Sequence, residues 1–209
     1  MRIHPGLVLA LMCLIAAPGN AAPPEPAVDN THRADITATT PVAVFVYSTQ
    51  ADVSAEDQQT ALAVAKKALS TASVDVVWTV CVPGTCLTPT PAALKIRILP
   101  SRDTSEREAH HLGHALIDSR TGSGELATVF INRTRRLAAN LGIDHRLLLG
   151  RTIAHELGHL LLATATHGAG LMREIWSRDE LLGSRRNDWE FDPHDAAAIR
   201  ERLARKPKA

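Results

Sequence analysis

Asp144-His-Arg-Leu-Leu-Leu-Gly-Arg-Thr-Ile-Ala-His-Glu-Leu-Gly-His-Leu-Leu-Leu-Ala163 reads as one long helix. Within it His155 and His159 stand four positions apart. Residues at i and i+4 differ by about 40° around a helix axis, so both imidazoles project from one face, one turn apart. Each can then place a nitrogen about 2.0–2.1 Å from a single Zn²⁺. Glu156 begins one residue after His155, so it borders such an ion without ligating it and can take a proton from metal-bound water. Two histidines do not complete a catalytic zinc site; a third protein ligand is expected, with one position left open for water.

Eight residues past His159 comes His167, in Ala165-Thr-His-Gly-Ala-Gly-Leu-Met172. The stretch Ala163-Thr-Ala-Thr166 can end the helix and turn the chain back, which would let His167 close the site. Gly168 and Gly170 permit a tight turn that presents Leu171 and Met172 beneath the metal. The competing third ligands are the acids Glu174 and Glu180, 15 and 21 residues beyond His159, but neither accounts for the Gly-Leu-Met element.

His-Glu-x-x-His, a downstream His and then Gly-Leu-Met resemble the metzincin group of zinc peptidases. The resemblance implies His155, His159 and His167 as ligands of one catalytic Zn²⁺, Glu156 as general base, and Met172 as the Met-turn residue forming an apolar floor. It also implies a mixed five-stranded sheet with an active-site helix and a small, mainly helical or irregular C-terminal subdomain. Leu112-Gly-His-Ala-Leu-Ile117 matches the edge strand of such enzymes, along which a peptide or protein substrate adds as an antiparallel strand. The match spans residues 42–172 and departs from the pattern after His159. Leu162 stands at the pattern's Gly, Ala165 at its third His, and His167 follows two residues later. Glu174 stands where some relatives carry a Tyr.

Upstream, the pattern alternates between strands and a helix. Pro41–Tyr47 reads as a buried strand, Ser54 to about Ser73 as an amphipathic helix with Leu62, Ala65 and Leu69 on one side, and Val74–Val80 as a second strand. Leu94–Leu99, Leu112–Ile117 and Ala127–Asn132 read as three more strands, and Asp192-Pro193 opens a last helix to about Leu203. The expected fold class is therefore α/β (α+β), with residues 42–164 as the catalytic subdomain and 165–209 as the C-terminal one.

The first segment reads as an address. Arg2, the apolar run Leu7–Ala17 and the small residues Gly19 and Ala21 make residues 1–21 a secretory signal peptide, too short for a permanent membrane anchor. Residues 22–41 are a flexible Pro/Ala/Thr-rich lead-in. A secreted or periplasmic location follows, and in that setting Cys81 and Cys86 are read as a disulfide across a hairpin tip at Pro83-Gly84. The 23 Lys and Arg balance 22 Asp and Glu, without the basic excess of a nucleic-acid binder. The mature chain is read as a monomer without a membrane anchor.

His110, His111 and His114, together with His145, His32 and His194, are read as structural or solvated. The basic runs at Arg133–Arg136 and Ser184–Arg186 are read as solvated charge, and Trp176 and Trp189 as packing for the C-terminal part. The functional expectation is an exported zinc endopeptidase. Its alternatives are a non-catalytic secreted module with structural zinc and a zinc amide hydrolase acting on cell-wall peptides.

Overall fold

Alternating burial builds the strands. In β1 (Pro41–Tyr47) Val42, Val44 and Val46 are buried while Pro41 and Ala43 face outward, and in β3 (Leu94–Leu99) Leu94, Ile96 and Ile98 repeat the pattern. A computed structural model describes residues 41–49, 51–81, 86, 93–101, 111–118, 120–182 and 189–205, all within one unit, Thr37–Ala209. Residues 1–21, read as a signal peptide, the lead-in up to residue 40, the expected turn at Pro83-Gly84 and the run at 184–186 lie outside the described residues.

The strands form one mixed sheet in the order β2-β1-β3-β5-β4, with β2 at Asp75–Cys81, β4 at Gly113–Asp118 and β5 at Ser123–Phe130. Among the described residues β1, β2, β3 and β5 run parallel, and β4 is antiparallel to β5 at the edge of the sheet. Parallel neighbours need a crossover, and α1 (Ala55–Ser70) supplies it between β1 and β2. Ser54 caps α1 by accepting from the Asp57 amide at 3.1 Å, and Leu62, Ala65 and Leu69 are buried as their spacing demands. α3 (His145–Leu162) and α5 (Pro193–Arg205) complete the core, with Leu69, Leu157 and Ile199 fully excluded from solvent.

Two expectations are corrected. Cys81 and Cys86 are at disulfide distance, with Cα atoms 5.0 Å apart, but β2 and β3, the strands on either side of them in the chain, do not pair with each other. β2 and β3 flank β1 on opposite sides and both run parallel to it, so no hairpin joins them. The strand expected at Ala127–Asn132 instead begins at Ser123 and stops at Phe130. Ile131 opens a helix, α2 (Ile131–Leu141), that absorbs the basic run. Arg133 is consequently not solvated: it is buried, donates to the His111 carbonyl at 2.7 Å and covers the Phe130 ring at 4.4 Å.

α3 is the element that positions the site. Asp144 caps its start by accepting from the Arg146 amide at 2.8 Å. It ends at Leu162 because Ala163 turns left-handed, with φ 53° and ψ 44°, one residue after the position where the metzincin pattern has Gly. Beyond that reversal the chain passes back beneath α3 through a single 3₁₀ turn, Gly170–Met172, and the short helix α4 (Arg178–Leu182). Among the described residues no helix is long and apolar enough to cross a membrane.

Candidate metal centre

The helical spacing does what it promised. His155 and His159 are buried on one face of α3, with ring centroids 4.7 Å apart and Nε2 atoms 3.1 Å apart. His167 comes in from the returning chain, its ring 5.4 Å from that of His155 and 4.8 Å from that of His159. One ring nitrogen from each of the three lies within 4.8 Å of the others, a group that could hold a metal ion. His167 is exposed, so its ring has room to turn.

Hydrogen bonding settles which nitrogens are available. His155 Nδ1 lies 2.8 Å from the Leu171 carbonyl, and His159 Nδ1 lies 2.9 Å from the Thr164 carbonyl. A carbonyl only accepts, so both Nδ1 atoms carry the proton and both Nε2 atoms present a bare lone pair. Burial keeps these rings neutral, lowering the His155 pKa to about 4 and that of His159 below its usual value. Two lone pairs facing each other at 3.1 Å repel unless a cation lies between them. An ion 2.0–2.1 Å from each would see them at about 100°, close to a tetrahedral angle. The donor set fits a divalent ion that accepts imidazole.

Glu156 completes the picture. Its carboxyl is buried, Oε2 has no hydrogen-bond partner, and desolvation raises its pKa to about 8. It lies against the first residue of the edge strand: a Cβ on Gly113 would sit 2.7 Å from Glu156 Oε1 and 2.6 Å from the Thr128 carbonyl. Only glycine leaves space for the acid there, a role that went unread in the sequence because a missing side chain gives no periodic signal. Gly158 is comparable, since a Cβ on it would collide with Met172 Sδ and approach Phe191 Cε1 to 2.8 Å. Met172 is buried, with its Sδ against Gly158 in the turn of α3 between His155 and His159.

The group opens into a cleft of about 450 Å³ between β4 and the segment Arg173–Trp176. Glu180, one rival ligand, is engaged elsewhere. Its carboxylate accepts from the Ser177 amide at 2.6 Å and pairs with Arg173 at 2.6 Å, and hydrogen bonding from the Ser177 hydroxyl and then its amide holds its pKa down. Glu174, the other rival, lines the cleft but is exposed and outside the grouped donors. His114 also lines the cleft, with its ring 5.6 Å from Phe130 and its pKa lowered by partial burial and by Arg97 and Arg133. His145 opens α3 and lies 3.3 Å from Asp57. A second group, Asp192, His194 and Asp195, lies where α5 begins, and there Asp192 Oδ1 accepts from the Asp195 amide at 2.9 Å.

No protein-family model matches the sequence, and no curated protein matches it either.

Proposed function

We propose that the protein is an exported zinc-dependent endopeptidase, with His155, His159 and His167 holding the ion and Glu156 as general base. The observation that carries this reading is the pair of bare imidazole nitrogens 3.1 Å apart beside a buried, unpartnered carboxyl, in a cleft bounded by an edge strand. A structural zinc site closes with four protein ligands, whereas among the described residues the grouped donors number three and line an open cleft.

Zinc bound by these residues supplies Lewis acidity, lowering the pKa of water and polarising a scissile carbonyl. The chain's own groups do the rest. Glu156, which would ionise once a dication sits beside it, takes the proton of the attacking water and passes it to the leaving amine. The Leu171 and Thr164 carbonyls hold the ligand tautomers that point Nε2 at the ion. Among the described residues β4 has one neighbour, β5, and its outer edge could pair with an extended peptide and lay the scissile bond across Glu156. Met172 floors the site with an apolar, uncharged surface. Export is the reading favoured by the signal-like first segment and by the Cys81–Cys86 pair.

The test is cleavage of a peptide library by the zinc-loaded protein, with and without chelator. Endopeptidase products that vanish with chelator and return with zinc support the reading. Zinc-replete protein that cleaves no peptide bond in a broad library contradicts it.

A further inference from the structure

Three side chains on α3 share a stripe because they recur every fourth residue: Arg151, His155 and His159. The C-terminal segment lays a second row against that stripe. The Arg151 guanidinium carbon lies 3.6 Å from the centroid of the Trp189 ring. Trp189 meets Trp176 at 5.0 Å with planes 67° apart, and Trp176 meets the His155 imidazole at 5.5 Å, nearly perpendicular at 87°. The series runs without a gap from a helix cation through two indoles to a grouped imidazole.

We infer that Trp176 is a positioning residue for His155, and that Arg151 and Trp189 hold Trp176 in place for that task. The physical need is specific. The Nδ1 bond to the Leu171 carbonyl fixes one end of the imidazole but leaves the ring free to swing about that bond, carrying Nε2 away from His159. A ring packed edge-to-face against the imidazole removes that freedom. Trp176 can do this only if it is immobile itself, yet it also lines the open cleft, and its Nε1 is buried without a hydrogen-bond partner. Its fixed neighbour is Trp189, clamped in turn by the cation on α3. The pieces come from distant parts of the chain, so the ligand geometry is set by how the C-terminal segment docks on α3.

This inference rests on the metal reading, and one set of measurements separates the two. Zinc affinity of the full chain is measured by competition with a chromogenic chelator. The d–d absorption of the cobalt-loaded protein reports ligand geometry, and thermal unfolding of the metal-free protein monitors the fold. Trp176→Ala is expected to raise the zinc Kd about 10- to 100-fold, the range for groups that orient metal ligands, and to shift the cobalt bands. Trp176→Phe, which keeps a ring against His155, is expected to restore most of the affinity. If Trp176→Ala does not fold, Trp176→Leu, which keeps apolar bulk without a ring, is measured in its place. A ring-less variant that binds zinc as tightly as wild type with unchanged cobalt bands overturns the role of Trp176 and leaves the metal reading intact. A wild-type chain that binds neither ion overturns both.

Discussion

Substituting Gly158 by Ala sets two known effects against each other, and the structure decides the sign. On helix propensity alone, Gly to Ala inside a helix gains about 1 kcal/mol. Gly158 sits in the middle of α3, so a solvent-facing site there would follow that rule. It does not face solvent. The new Cβ would collide with Met172 Sδ and lie 2.8 Å from Phe191 Cε1 and 3.2 Å from Phe191 Cζ. Met172 and Phe191 are buried among other core residues and cannot retreat without moving neighbours. Overpacking of this kind costs about 1–3 kcal/mol, and here it comes with displacement of the turn whose Leu171 carbonyl holds His155. With two buried neighbours struck at once the cost falls in the upper part of that range, about 2–3 kcal/mol, so the expected net is a loss of about 1–2 kcal/mol, or a Tm lower by roughly 2–8 °C for a chain of this size. Zinc affinity should fall with it. Urea and thermal unfolding of the metal-free protein give the first quantity, and a double-mutant cycle with Met172→Ala locates the clash, since removing the sulfur should recover part of the loss. A Gly158→Ala variant more stable than wild type would refute the reasoning, because it would mean that nothing packs against that face of α3.

Other perturbations read other parts of the site. Glu156→Gln should lower peptide cleavage by about 10²- to 10⁴-fold while zinc content stays unchanged, as measured by turnover and metal analysis of the same sample. Ala163→Gly removes the strain of a left-handed alanine and should raise stability by about 0.5–1 kcal/mol in denaturant unfolding. The metal-free protein has a defined pH signature. His155, lowered from 6.5 to about 4, makes stability rise as pH climbs between those values. Glu156, raised from 4.5 to about 8, holds a proton in the folded state that the unfolded chain has released, so it makes stability fall as pH climbs from 4.5 to 8. Between pH 6.5 and 8 only the second effect operates; Tm in the presence of chelator should decline there, and Glu156→Gln should flatten the decline.

Legibility in the sequence followed the range of the interaction. Leu94–Leu99 was readable to the residue because alternation is local, and α3 because the Asp144 cap opens a long proline-free run of helix formers up to Ala163. The pairing of His155 with His159 needed only the helix repeat. α2 escaped because Phe130, at its N-cap, makes no side-chain capping bond and the apolar run Val129-Phe130-Ile131 carries strand character straight into the helix. The false hairpin at Cys81–Cys86 came from a good local turn signal, but β1 lies between the two strands, and strand order is set by long-range packing. The rest of the site is backbone and absence: the carbonyls of Leu171 and Thr164 that orient the two helix imidazoles, and the empty volume at Gly113 and Gly158. Neither has a residue type of its own. Trp176 was visible as an aromatic, but its place beside His155 depends on how a segment about 20 residues downstream docks.

The central claim is that His155, His159 and His167 hold one divalent ion, and native mass spectrometry of the full chain after zinc loading and desalting tests it most directly. The account predicts one zinc per chain in the wild type, none in the His155→Ala/His159→Ala variant, and weaker retention in His167→Ala. A wild type that emerges metal-free, or a double variant that keeps its zinc, would contradict it.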